Sequence, residues 1–229
     1  MQTITVDGAV CTTLPVPSRI AKVLAEADAT LGTSAVRESV KLPRHVEENE
    51  WIAAKMVEVY QETVSVVKVL RGICKCEGMK AGDVTVAWRR RDTEPPEAVS
   101  ANEYMRHFEK AAYELLTDRT LIPVDDSLSY PENFVEEMSR ICRWVMRIYN
   151  HVYMEHLDDF KVQGCTAHLN CCFKRFLFLA IEYRLLSEKD YLKLKPLVLR
   201  YLDEDGQELD EPAPKDHKAL EPNPASVCA

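Results

Sequence analysis

The sequence predicts an all-α domain carrying one irregular insert. Three observations lead there. Apolar residues recur with helical spacing in five separate stretches. Only 7 of the 229 residues are glycine, so folds that depend on Gly-rich loops are disfavoured. Between residues 71 and 100 the periodicity fails, and Gly72, Gly78, Gly82, Pro95 and Pro96 punctuate the chain.

Taken in order, residues 1–16 read as an extended N-terminal arm, with Pro15 and Pro17 marking where helix can begin. Ile20, Val23, Leu24 and Ala27 form a stripe over 18–31, stopped by Gly32. Pro43 ends a short second element. A long helix follows over about 46–70, carrying Trp51, Met56, Val59, Val66, Val67 and Leu70 inward. In the insert Val84, Val86 and Trp88 alternate as a short hairpin strand would. Helical spacing returns over 102–117 (Tyr104, Phe108, Ala111, Ala112, Leu115) and over about 132–153 (Ile141, Val145, Ile148, Val152). The helix over about 167–186 is apolar on nearly every side from Cys171 to Ile181, which marks it as central. Ser187-Glu188-Lys189-Asp190 starts a last helix to about residue 201, with Pro196 as a potential kink. Residues 17–202 thus form one helical domain. The segment 203–229, with four prolines and many charges, is expected to be disordered.

The bulk chemistry excludes several functions. Hydrophobic residues make up 46% and charged residues 29%, as in globular proteins. A net charge of −8 argues against bulk attraction to nucleic acid or anionic membrane. No apolar run is long enough to span a bilayer. The N-terminus lacks the basic and apolar regions of a secretory signal, so a cytoplasmic location and reduced thiols are expected for the eight cysteines. Cys142, Cys171 and Cys172 lie in apolar runs and read as core residues. No Gly-rich phosphate loop, G-x-S-x-G elbow or H-E-x-x-H pair is present.

Three constellations remain. Cys74, Cys76, His151 and His156 offer two thiolates and two imidazoles, a standard structural zinc set. Against it, residues five apart diverge by about 140° on an α-helix, so both imidazoles reach one ion only if the helix ends or distorts between them. Packed or solvated side chains are the alternative. Arg140, Arg143 and Arg147 recur at i, i+3 and i+7 and share a helix face suited to a phosphate. A solvated face paired with Glu136 and Glu137 is the competing reading, and Arg89-Arg90-Arg91 either joins that patch or forms a turn. Glu47, Glu50 and Glu58, beside Trp51, form an acidic stripe that could dock a basic helix or could simply face solvent.

Several ordered blocks resemble the Mob (Mob1/phocein) family of kinase co-activators. They are Val40-Lys41-Leu42-Pro43, Asn49-Glu50-Trp51-Ile52-Ala53, Cys76-Glu77-Gly78-Met79, Pro131-Glu132-Asn133-Phe134, the His151/His156 segment, and Ala167-His168-Leu169-Asn170. The resemblance implies a Mob-like fold around a four-helix bundle, with one structural zinc on Cys74, Cys76, His151 and His156. In the family the first cysteine lies five residues before the second; here it lies two before. The resemblance further implies a non-enzymatic adaptor for the N-terminal segment of NDR/LATS-type kinases in Hippo-like, cell-cycle and cytokinesis signalling. Glu47, Glu50, Trp51 and Glu58 would contact the kinase. A phosphorylated Ste20-type kinase segment would meet Arg143 and Arg147, with Trp144 in place of a third basic residue, so phosphopeptide binding is expected to be weakened or altered. The nucleus and the spindle poles or basal bodies are implied as further locations. A phocein-like scaffold of a phosphatase complex and a zinc or thiol enzyme are the alternatives.

Overall fold

The computed structural model describes residues 5–6, 9–10, 18–29, 36–91, 93–125 and 128–203. Apart from two paired dipeptide strands, β1 (Thr5–Val6) and β2 (Ala9–Val10), the arm expected over 1–16 lies outside these residues. So does the tail from 204 onward.

Helix α1 (Ser18–Glu26) precedes a single 3-10 turn at Glu38–Val40. Helix α2 (Glu48–Ile73) begins where the Glu47 carboxylate accepts the Glu50 backbone N–H at 2.8 Å. Glu48 and Glu50 in its first turn and Arg71 in its last complement the helix dipole. Strands β3 (Met79–Ala81) and β4 (Val84–Val86) form the expected hairpin, and Trp88 continues it by pairing with Glu97. The hairpin turns through Gly82 at φ +66°, the left-handed conformation a two-residue connection needs. Helix α3 (Ala101–Thr117) starts in a capping box of Ser100 and Glu103. Helices α4 (Phe134–His151), α5 (Leu157–Val162), α6 (Thr166–Glu182), α7 (Glu188–Tyr191) and α8 (Lys195–Asp203) complete the chain.

Helices α2, α3, α4 and α6 pack together as the central group. Their inward stripes bury Tyr104, Phe108, Tyr149, Phe173 and Phe176 completely. Cys142, Cys171 and Cys172 are buried, as small core thiols should be. Asn170, fully buried, donates to the carbonyls of Glu26 and Ala29 and accepts from the Tyr153 hydroxyl. It ties the C-terminal end of α1 and the turn after it to α6. His168, by contrast, is exposed on α6, four residues from Cys172, and is not a core residue.

Two boundaries differ from the periodicity. The helix expected to end near 153 continues to 162, through a π-helical segment at Val152–His156. The last helix is broken by a 3-10 turn at Leu192–Leu194, which places Pro196 in the first turn of α8, where its missing N–H costs nothing.

Candidate metal centre and charged surfaces

Cys74 caps the C-terminus of α2, its N–H bonded to the Leu70 carbonyl at 2.7 Å. Its backbone is extended (φ −74°, ψ 129°). In extended chain, residues two apart project to the same side, so a Cys-x-Cys spacing delivers both thiols to one place. Lys75 between them faces solvent. The segment is fixed from α3: Asn102 donates to the Cys74 carbonyl, and the Ala101 N–H to that of Cys76. The shortened spacing therefore still presents two sulfurs.

On the facing helix, the π-helical segment starts directly after His151 and includes His156. Hydrogen bonding from i to i+5 brings residues five apart onto nearly one face, which removes the divergence an α-helix would impose. The two imidazole centroids are 4.9 Å apart. Cys74 Sγ lies 3.4 Å from His151 Nε2, and Cys76 Sγ lies 3.4 Å from His156 Nε2. All four donor atoms fall within 4.8 Å of one another. A tetrahedral ion with bonds of roughly 2.0–2.3 Å would set sulfur and nitrogen ligands about 3.6 Å apart, close to the 3.4 Å of the two sulfur–nitrogen pairs.

The outer ring nitrogens support the same conclusion. His151 Nδ1–H donates to the Lys80 carbonyl at 2.7 Å, and His156 Nδ1–H to the Asp159 carboxylate at 2.8 Å. Each bond leaves the Nε2 lone pair turned toward the sulfurs, as metal-binding imidazoles are usually held. Without a cation, burial raises the Cys74 thiol above its ordinary pKa and lowers that of His151. A cation at the centre favours thiolate and neutral imidazole together. Four protein donors fill a tetrahedral shell and leave no position open for substrate. The cluster can hold a metal ion and, through it, fasten the insert to α4. Asp159 and Lys80 carry no motif of their own; only the three-residue step from His156 to Asp159 hints at one of them.

The arginines fall into two groups. Arg140 is drawn into ion pairs with Glu136 and Glu137, as the solvated-face reading expects, although it is largely buried. Arg143 and Arg147 instead line a cleft of about 360 Å³ between α4 and the insert, with Arg140, Arg89, Thr85, Val86, Ala87, Pro96 and Trp144. Among the described residues, four arginines and no carboxylate line it. Arg147 donates to the Tyr104 hydroxyl at 3.4 Å. Trp144 borders the cleft from the core side and supplies no cation in place of the third basic residue. It is 1% exposed, stacks on Trp88 at 5.0 Å and donates its indole N–H to the Arg89 carbonyl.

The acidic residues lie along the exposed side of α2, flanked by two clefts. Glu47 and Glu50 line an open cleft of about 690 Å³ against the 116–130 segment, with Val57, Leu116, Val124 and Leu128 among its apolar walls. Val57, Val124 and Leu128 are conspicuously exposed, and Val57 and Val124 do not stand out in the sequence because each adjoins other apolar residues. Glu58 lines the other cleft and pairs with Lys55 at 2.8 Å. Trp51 is half-buried; its indole N–H donates to the Val40 carbonyl, and Lys55 lies over its ring. Its first task is thus to brace the 3-10 turn against α2.

No helix of the described residues is long and apolar enough to cross a membrane. A model of the Mob1/phocein family matches residues 28–194. Maintenance of ploidy protein mob1 of Schizosaccharomyces pombe is 30% identical over 177 residues, 75% of this chain and 84% of its own. MOB kinase activator-like 1 homolog B of Dictyostelium discoideum is 31% identical over 177 residues, covering 75% and 82%. MOB kinase activator-like 1A of Medicago sativa subsp. falcata is 32% identical over 189 residues, covering 80% and 88%. Two of these relatives are named as activators of kinases, regulators rather than enzymes. The helical group, the ordered sequence blocks and these matches agree, and the chain belongs to the Mob1/phocein family.

Proposed function

We propose that this chain is a non-enzymatic adaptor and co-activator of an NDR/LATS-type protein kinase, which it binds through the exposed side of α2. The observation that carries this reading is the placement of Glu47 and Glu50 on an open cleft with apolar walls. A basic amphipathic helix meets such a surface with apolar side chains in the cleft and cations toward the carboxylates. Two relatives are named as kinase activators, which supports a protein kinase as partner. Binding that favours one conformation of the kinase segment shifts the kinase toward its active state. In the test, purified chain is added to a full-length kinase of this type. Capture of the kinase with a rise in its activity is expected; neither capture nor activation would contradict the reading.

Zinc is the ion we assign to the four-donor cluster, since two sulfurs and two nitrogens gathered within 4.8 Å suit it. Its role is to pin the insert rather than to catalyse. Elemental analysis should find one zinc per chain, and none after Cys76→Ser.

A second binding activity is favoured by the arginine cleft. Arg143 and Arg147 line a space with two further arginines, on a chain of net charge −8. Such a site suits a phosphorylated threonine in a peptide, here from an upstream Ste20-type kinase. Phosphate-dependent binding of a phosphothreonine peptide, absent for its unphosphorylated form, is the expected result.

A further inference from the structure

We infer that Arg89, on the insert, is a ligand-contacting cation of the arginine cleft, so that the phosphate is gripped between the insert and α4 rather than by α4 alone. The inference rests on the phosphopeptide reading of that cleft and adds a residue from its opposite wall.

A phosphate monoester at neutral pH presents nearly two negative charges and three acceptor oxygens, and cations on more than one side are needed to meet them. Helix α4 by itself supplies too few. The Arg140 charge is already met by Glu136 and Glu137. Arg143 and Arg147 are the other arginines on the helix wall, and Arg147 also donates to the Tyr104 hydroxyl.

Three consecutive arginines occupy the insert, and the structure separates them. Arg90 leaves the cleft and pairs with Glu114 at 2.7 Å. Arg91 is exposed and does not line it. Arg89 alone of the three lines the cleft, half-buried, with no ion pair among the described residues. Its guanidinium, not taken by a carboxylate among the described residues, can meet the charge of a ligand in the cleft.

The Arg89 backbone is held in place. The Trp144 indole N–H donates to its carbonyl at 3.1 Å. The preceding residue, Trp88, is 6% exposed and stacks between Trp144 at 5.0 Å and His107 at 5.3 Å, with Tyr104 edge-on at 5.0 Å. Its N–H and C=O both bond to Glu97 at 2.8 Å. An arginine on an anchored backbone loses less entropy on binding than one on a free loop. Trp144 therefore serves the cleft indirectly, by fixing where Arg89 stands.

The test uses the full chain and a degenerate pool of short fluorescent peptides fixed only at one phosphothreonine, with a matched unphosphorylated pool. Binding is read by anisotropy, and fold by thermal unfolding and bound zinc. Arg89→Ala should weaken phosphopeptide binding roughly tenfold or more, the usual scale for a lost charge-assisted hydrogen bond, with unfolding temperature and zinc unchanged. Arg89→Lys should fall between, since the charge remains and the bidentate fork does not. Arg90→Ala should bind as wild type. Wild-type affinity in Arg89→Ala, alongside a clear loss in Arg147→Ala, would overturn the role of Arg89 and leave the phosphopeptide reading standing. Equal weakening of the unphosphorylated pool by Arg89→Ala would also overturn it. No phosphate-dependent binding by wild type would overturn both.

Discussion

The exposed side of α2 and the cleft beside α4 are opposite in charge and in construction. On α2 the carboxylates stand along a single continuous helix, beside a cleft walled by Val57, Val124 and Leu128. Nothing but the helix positions Glu47 and Glu50. The arginine cleft is composite: one wall is α4, the other is the insert, and the insert is held by the Cys74–Cys76–His151–His156 cluster and by the Trp88–Trp144 stack. The first surface should therefore survive any perturbation that spares the helical core. The second should fail whenever the insert comes loose. On the proposed function, one frame would carry two partners of opposite charge, with only the arginine cleft depending on metal.

Removing the metal breaks this comparison most severely. Chelation would free two thiols and two imidazoles gathered at one point, and His151→Ala would leave two thiols and one imidazole. Structural zinc contributes on the order of 10 kcal/mol in small zinc peptides; a chain with its own helical core should lose several kcal/mol, most of it in the insert. Thermal unfolding should shift downward and phosphopeptide binding should vanish, while binding of a basic kinase segment to α2 stays within about twofold. Loss of both activities together would show that the surfaces are not independent.

Trp144→Ala comes next. Deleting a fully buried indole costs about 3–5 kcal/mol, and it also removes the donor to the Arg89 carbonyl. Denaturant unfolding should report that loss. Arg147→Lys is gentler: affinity for the phosphopeptide should fall about tenfold as the bidentate geometry is lost, with stability nearly unchanged. The smallest effect is expected at Lys55, which neutralises Glu58 and covers Trp51. Lys55→Ala should tighten binding of a basic segment by about twofold, the scale of an exposed ion pair.

Most of the helices were legible because a buried stripe must recur at helical spacing. The metal donors were visible as residue types, yet their geometry was not. The α-helical angle between His151 and His156 made them look incompatible, and a π-helical segment, which has no reliable sequence signature, reconciles them. The short Cys74–Cys76 spacing looked like a defect until extended backbone put both sulfurs on one side. Arg89 was hidden among three adjacent arginines, since only the fold decides which one lines the cleft. Trp144 looked like a lost cation because a linear sequence does not show that position to be buried against Trp88.

The central claim is that α2 presents an acidic docking surface for a kinase segment. Calorimetric titration of the basic N-terminal segment of an NDR/LATS-type kinase into wild type and into the Glu50→Lys/Glu58→Lys double variant tests it most directly. The account predicts binding to wild type and at least a tenfold loss in the variant, whose zinc content and unfolding temperature match wild type. Equal affinity in the two proteins would contradict it.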